Sequence, residues 1–236
     1  MLEVLKLFNY TPPNIQTIDR NGFKVITDEF GYRLFINNEQ WMMYDWSHTQ
    51  AAMVYSHYHI AYGDVITTGL GFAARESWLL NNPRVKSLTV LEKNQCIIDY
   101  HKEINSDIIK KAKVICTDAV DYVGKCDTLL LDHYEHESMD YIVNNVKTVC
   151  KNIQCEKMWY WHLETQILAD LHGVQEDGVW LLFRDKKLKF DTESLRNIKY
   201  VYENIRQRFN LEKLPNLTEE ELKLFLTIYT GFYNNI

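Results

Sequence analysis

Strand and helix patterns alternate between residues 63 and 190, and this alternation limits the possible folds more than any other feature of the sequence. The strand-length apolar runs lie at 64–68, 87–92, 113–118, 126–132 and 157–164. The segments between them have the apolar spacing of helices. The runs are continuous rather than alternating in polarity, as expected for strands that helices bury on both faces. We therefore predict an α/β domain with a doubly wound, Rossmann-like parallel sheet.

The sequences on either side of this region have different patterns. Residues 1–60 contain short runs that alternate in polarity and are separated by glycines, which predicts a small β-rich N-terminal region. Residues 191–236 contain two amphipathic helical stretches, and Thr218 with Glu221 has the T-x-x-E spacing of a capping box. The predicted organisation is a β-rich N-terminal region at 1–60, a Rossmann-like domain at 61–190 and C-terminal helices at 191–236.

Composition and charge argue against several classes of function. The net charge of −6 leaves no overall positive field to attract nucleic acid, so a nucleic-acid partner is not expected. No run of about 18 apolar residues occurs, so we expect no membrane-spanning helix and no membrane partner. The five cysteines contain no CxxC pair and lie mostly in or beside apolar segments. This usage is typical of reduced thiols, and we expect a cytoplasmic protein.

A glycine turn follows the first of the predicted parallel strands. Gly69 and Gly71 allow the chain to turn sharply ahead of a helix, so that a ligand can approach the backbone there. The next strand ends at Glu92, and an acid about 20 residues beyond such a turn can accept both ribose hydroxyls of a nucleoside. Ala74 occupies the place of the third glycine in the G-x-G-x-x-G motif. The turn by itself therefore also fits an ordinary strand–helix connection.

Two more acids end the third and fourth predicted strands. These are Asp118 and Asp132. Because the carboxyl ends of parallel strands meet at one edge of a sheet, we expect both acids to line one crevice together with Gly69 and Glu92. This ordered set predicts a site for a ligand that contains a nucleoside.

The loop after the fourth strand is rich in histidine and glutamate. His133 and His136 are three residues apart, a spacing that can bind a metal ion on a helical turn. No third ligand of comparable clarity follows, so we predict no metal. We expect instead a polar wall over the reacting group, in which Glu135 or His133 accepts a proton from a nucleophile. The individual histidines also fit an exposed loop without a catalytic role.

These motifs resemble those of the class I S-adenosylmethionine-dependent transferases, most closely the spermidine synthase (aminopropyltransferase)-like branch. The similarity covers about residues 20–140 and includes Gly31-Tyr32-Arg33-Leu34, Arg75-Glu76, Leu91-Glu92-Lys93, Thr117-Asp118-Ala119 and Asp132. The resemblance implies S-adenosylmethionine, or its decarboxylated form, as the cofactor. It also implies that Glu92 holds the ribose, while Asp118 and the backbone N–H of Ala119 bind the adenine. The other implied cofactor-binding residues are Gly69, Leu70, Gly71 and Asp132.

The sequence departs from this family at the reacting end of the site. The family's turn reads G-G-G-D-G-G, and its acid binds the donor's amino group, but Leu70 occupies the acid's position here. The family's D-x-x-D reads Asp132-His133-Tyr134-Glu135, which keeps an acid at both places. A glutamine and a Tyr-His pair line the family's polyamine groove, and the nearest positions here are Trp41 and Gln50-Ala51. The nucleoside site is therefore retained, whereas the polyamine groove is not matched.

We therefore expect an S-adenosylmethionine-dependent transferase whose catalytic residues are Asp132, Glu135 and His133. Methyl transfer to a small molecule is favoured, because Leu70 removes the acid that would hold an amino group. The methionine carboxylate would then rest on the backbone N–H groups that follow Gly69 and Gly71. The alternatives are an aminopropyltransferase of polyamine synthesis and a nucleoside-binding module without catalytic activity. The aromatic N-terminal strands offer an edge for a homodimer.

Overall fold

An antiparallel sheet forms the N-terminal part of the molecule. The computed structural model describes residues 10, 12–45, 54–134, 138–175, 179 and 195–233. Within these residues the first sheet has the order β1-β2-β3-β4, and its strands are Ile18–Arg20 (β1), Phe23–Thr27 (β2), Gly31–Ile36 (β3) and Glu39–Asp45 (β4). Each strand pairs antiparallel with the next in the chain. The predicted β-rich N-terminal region is therefore present as a meander.

A parallel sheet follows, with the order β7-β6-β5-β8-β9. Its strands are Gly63–Thr68 (β5), Val85–Glu92 (β6), Lys113–Cys116 (β7), Gly124–Leu131 (β8) and Ile153–Tyr160 (β9). The chain runs from β5 outward to β7 and then returns to the other side of β5 for β8 and β9. This is the 3-2-1-4-5 order of a doubly wound sheet, so the predicted Rossmann-like fold is confirmed. Ligands of such sheets bind at the carboxyl edge, where the strand order reverses.

Helices connect and cover these strands. They are Tyr55–Ile60 (α1), Ala74–Leu79 (α2), Gln95–Ile104 (α3), Ser106–Lys111 (α4), Met139–Asn152 (α5), Leu163–His172 (α6), Ile198–Arg208 (α7) and Glu219–Tyr233 (α8). In α5, the buried residues Ile142, Val146 and Val149 recur at helical spacing and place one apolar face on the core. Among the described residues, no helix combines the length and apolar character that crossing a membrane requires.

The capping box predicted at the start of α8 is confirmed. The N–H of Glu221 donates to Thr218 Oγ1 at 3.1 Å, and the N–H of Thr218 donates to Glu221 Oε2 at 2.8 Å. Two backbone donors that the first turn of a helix leaves without partners are thereby satisfied. The local sequence therefore defines where α8 begins.

The antiparallel sheet packs against the connections at the carboxyl edge of the parallel sheet. The rings of Tyr44 on β4 and Phe72 lie 6.2 Å apart, and those of Phe23 on β2 and Tyr100 on α3 lie 5.4 Å apart. All four side chains are buried. The N-terminal sheet thus covers the turn after β5 and the helix after β6.

The last parallel strand ends earlier than the sequence indicates. The apolar pattern predicts a strand over 157–164, with His162 or Glu164 reaching the rim of the site, but β9 ends at Tyr160. His162 has a left-handed φ of 77° and precedes α6, which contains Glu164. The Glu164 carboxylate accepts a hydrogen bond from Trp159 Nε1 at 3.2 Å and is 2% exposed. It therefore faces the core rather than the rim.

Glu164 is expected to make the protein less stable as pH rises through neutrality. Burial raises the pKa of Glu164 to about 7, above its value of 4.5 in a solvated chain. The folded state therefore binds more protons than the unfolded state between these pH values, and stability falls as pH rises through about 7. Glu164→Gln should accordingly be more stable than the wild-type protein at pH 8 and about equally stable at pH 5. Urea unfolding at both pH values measures this difference, with Glu212→Gln as the exposed control. An equal effect of Glu164→Gln at the two pH values would contradict the assignment.

Candidate functional site

The structure places the glycine turn and the predicted acids at the carboxyl edge of the parallel sheet. Gly69 directly follows β5, and Glu92 is the last residue of β6. Asp118 lies in the loop after β7, and Asp132 directly follows β8. Four neighbouring strands thus deliver these residues to one edge, next to the point where the strand order reverses.

The turn after β5 needs glycine for two physical reasons. Gly69 and Gly71 have φ values of +76° and +47°, in the left-handed region that favours glycine. A Cβ atom at Gly69 would lie 2.2 Å from the carbonyl oxygen of Asp132, and one at Gly71 would lie 2.3 Å from Met42 Sδ. The turn is therefore in close contact with the loop after β8 on one side and with β4 on the other.

Buried side chains hold the carbonyl groups of this turn. Arg75 Nη2 donates to the carbonyl oxygens of Thr68 at 3.0 Å and Gly69 at 2.7 Å, and it also contacts Glu76 Oε1 at 2.7 Å. His101 Nε2 lies 2.8 Å from the carbonyl oxygen of Gly71. Arg75 and His101 are 4% and 0% exposed. The sequence signal for Arg75 is the Arg-Glu pair after the glycine turn. No sequence pattern distinguished His101 from the other histidines of the chain.

The carboxylate of Glu92 is fixed by the backbone on both sides of the site. Its Oε2 accepts the N–H of Leu70, and its Oε1 accepts the N–H of Asn94, each at 2.8 Å. Burial raises the pKa of Glu92, and these backbone hydrogen bonds oppose the shift. Each carboxylate oxygen has a second lone pair, so the group can still accept two hydroxyl donors. This acceptor capacity fits the two ribose hydroxyls of a nucleoside.

The structure corrects the expectation for Leu70. Its N–H donates to Glu92 and is therefore not free to receive a methionine carboxylate. Its side chain is 3% exposed and belongs to the hydrophobic core. The first helical residue after the turn is Ala74, four positions further on. Leu70 thus helps to hold the turn against Glu92 and the core, and it provides no negative charge to bind the amino group of a donor.

The loop after β7 contains the two predicted adenine-binding residues. Asp118 is half-buried, and its Oδ1 accepts the N–H of Val120 at 3.1 Å. Ala119 is 3% exposed. This hydrogen bond, to a residue two positions along the chain, stabilises the loop through Oδ1. The other carboxylate oxygen, Oδ2, can accept a hydrogen bond from an amino group of a ligand.

The two predicted catalytic residues that the structure describes, Asp132 and His133, differ in their acid–base properties. Burial raises the pKa of Asp132 to about 6, although Arg75 Nη1 lies 3.7 Å from its Oδ2 and opposes the shift. Burial lowers the pKa of His133 to about 4, although the Asp118 carboxylate opposes this. His133 Nδ1 lies 2.5 Å from Thr68 Oγ1. Asp132 therefore titrates nearer to neutral pH and is the better base.

The remainder of that loop, residues 135–137, lies outside the described residues. The catalytic role of Glu135 and the His133–His136 pair therefore stay predictions. Within the described ranges, no group of three or more His, Cys, Asp or Glu side chains is arranged to hold a metal ion.

Several solved structures superpose on part of this chain. The fold is Rossmann-like. A spermidine synthase from Thermotoga maritima overlaps with a TM-score of 0.44 and 12% identity, over 62% of this chain and 55% of that one. A putative RNA methyltransferase from Pyrococcus horikoshii gives a TM-score of 0.38 and 15% identity, over 47% and 57% of the two chains. The N-methyltransferase NodS from Bradyrhizobium japonicum gives 0.35 and 15%, over 48% and 64%.

The chain thus spans little more than half the length of the spermidine synthase that it overlaps. No protein-family model matches the chain, and no curated protein sequence matches it. The fold assignment accordingly depends on the strand order, and any function must be argued from the geometry of the site.

Proposed function

We propose that the protein is an S-adenosylmethionine-dependent transferase that methylates a small molecule. The observation that carries this proposal is the buried Glu92 carboxylate at the end of β6. It is fixed by the N–H groups of Leu70 and Asn94 beside the glycine turn. A carboxylate held in this way, next to the reversal of strand order, can orient a ribose through both of its hydroxyls.

Different residues at the edge of the sheet would bind the ribose and the adenine of the nucleoside. Glu92 would accept the ribose hydroxyls, and Asp118 would accept the adenine amino group. The backbone N–H of Ala119 would donate to the adenine ring. When bound, the cofactor supplies a methyl group attached to a sulfonium sulfur. The rest of the cofactor is then a good leaving group, because it departs as a neutral thioether. The protein therefore needs chiefly to position the acceptor in line and to exclude water.

The acceptor's proton is assigned to Asp132. Asp132 would accept the proton of the acceptor's nitrogen or oxygen as that atom takes the methyl group, and the cofactor would be left as a neutral thioether. The pKa of about 6 keeps Asp132 ionised at neutral pH and still basic enough to accept a proton. Its side chain is 32% exposed, so the carboxylate is only partly covered by the protein.

Methyl transfer is favoured over aminopropyl transfer by the residue at position 70. Both donors carry a primary ammonium, but only S-adenosylmethionine has a carboxylate beside it, and a buried ammonium without such a partner requires an anionic side chain. Leu70 occupies the place where the resembling family has an acid, and its side chain is buried in the core. The second candidate, aminopropyl transfer, is favoured by Asp132, because the aminopropyltransferases that the chain resembles also have an acid at this position.

A calorimetric titration with three ligands tests this proposal: S-adenosylmethionine, its decarboxylated form and methylthioadenosine. We expect S-adenosylmethionine to bind about 5- to 30-fold more tightly than its decarboxylated form, the scale of one charged contact. Leu70→Asp, checked for folding by circular dichroism, should reduce or reverse this preference. Tighter binding of the decarboxylated form by the wild-type protein, with aminopropyl transfer to putrescine, would support the second candidate. Binding without turnover on either donor would favour a catalytically inactive nucleoside-binding module. Failure of all three ligands to bind would refute the proposal.

A further inference from the structure

One aromatic side chain of the antiparallel sheet is set apart by an irregular strand pairing. Leu34 pairs with Met42, whereas the next residue, Phe35, pairs with Gln40. Trp41 is therefore the extra residue of a β-bulge between β3 and β4. Bulges redirect the side chain at the irregular position and are frequent next to functional sites. The Trp41 side chain is 38% exposed, which is unusual for a residue of this size.

The position of Trp41 connects it to the candidate site. Its ring lies 4.8 Å from Nζ of Lys93, the residue that follows Glu92. The neighbouring residue, Met42, lies against Gly71 in the glycine turn. Strand β4 therefore contacts both the residue that follows the proposed ribose-binding acid and the glycine turn after β5. An aromatic ring at this place borders the site and is not merely on a distant surface.

We propose that Trp41 is a specificity-determining residue that stacks on the planar base of the bound nucleoside. Nζ of Lys93 lies over the ring, and the exposed part of the ring offers an apolar, flat surface beside the residue that follows Glu92. Stacking between a base and an aromatic side chain is favourable because both are planar and poorly hydrated on their faces. This inference rests on the proposed nucleoside cofactor but adds a residue that sequence motifs did not assign to it.

Affinity measurements on three variants test the role of Trp41. Trp41→Ala should weaken S-adenosylmethionine and methylthioadenosine binding by about 5- to 100-fold, the range found when a stacked aromatic is removed. Trp41→Phe keeps a smaller ring and should weaken binding by less than about fivefold. Met43→Ala is the matched control, because Met43 lies two residues further along β4 and is similarly exposed, at 37%. It should bind as the wild-type protein does.

A spectroscopic measurement separates stacking from an indirect effect on the fold. Adenosyl ligands should quench part of the tryptophan emission of the wild-type protein, and this part should be missing in Trp41→Phe at saturating ligand. Unchanged affinity in Trp41→Ala, or undiminished quenching in Trp41→Phe, would overturn the inference while leaving the transferase proposal in place. Absence of adenosyl binding by the wild-type protein would instead overturn both.

Discussion

Replacing Asp132 with Asn is expected to lower the rate of group transfer by about 100-fold or more, the usual contribution of a positioned base. The change removes the proton acceptor but keeps the size and the backbone contacts of the side chain. The N–H of Asp132 donates to Thr68 Oγ1 at 3.0 Å, so the loop after β8 should keep its place. Cofactor affinity should therefore change by less than about threefold. Release of the thioether product, measured with each donor and a panel of amine and hydroxyl acceptors, gives the rate.

The pH dependence of that rate gives a second, independent test of the same assignment. A base must be deprotonated to act, and the pKa of Asp132 is about 6. The rate should thus rise with pH through about 6 and then level off. The rise should be absent from the residual activity of Asp132→Asn. A midpoint near 4, the pKa of His133, would assign the proton to the histidine and contradict the role of Asp132.

Replacing Glu92 with Ala is expected to weaken binding of all adenosyl ligands by about 100- to 10,000-fold. Two charge-assisted hydrogen bonds to a ribose each contribute about 1.5–3 kcal/mol, and about 1.4 kcal/mol corresponds to a tenfold change. The structure adds a consequence for stability. Loss of the carboxylate leaves the N–H groups of Leu70 and Asn94 without their acceptor, which costs about 1–3 kcal/mol for each group that stays buried.

The binding measurement must therefore be made on protein shown to be folded at the working temperature. Asp99→Asn is a suitable control, because this carboxylate is exposed on the following helix, where it accepts hydrogen bonds from Lys102 and Gln95. It should change neither affinity nor stability appreciably. If folded Glu92→Ala binds S-adenosylmethionine as tightly as the wild-type protein does, the ribose assignment is wrong.

The order of the strands along the chain and the acids at their ends were determined by the sequence alone. Continuous apolar runs predict buried parallel strands, and an acid at the end of such a run must lie at the carboxyl edge of the sheet. The capping box at Thr218 is equally local, since its two residues are one helical turn apart. These features depend on neighbours in the sequence, and therefore the sequence is sufficient to predict them.

The hydrogen-bond partners and the pKa values of the site were decided by the tertiary structure. The Leu70 N–H could have faced a ligand or a side chain, and only the packing of β5 beside β6 brings it to Glu92, 22 residues away. The same applies to Trp41, which a bulge places beside Lys93, and to Glu164, which turns toward Trp159 because β9 ends early. The pKa of Asp132 depends on burial and on Arg75, a residue of α2. Burial and long-range contacts arise only when distant segments pack together, and for this reason no local pattern predicts them.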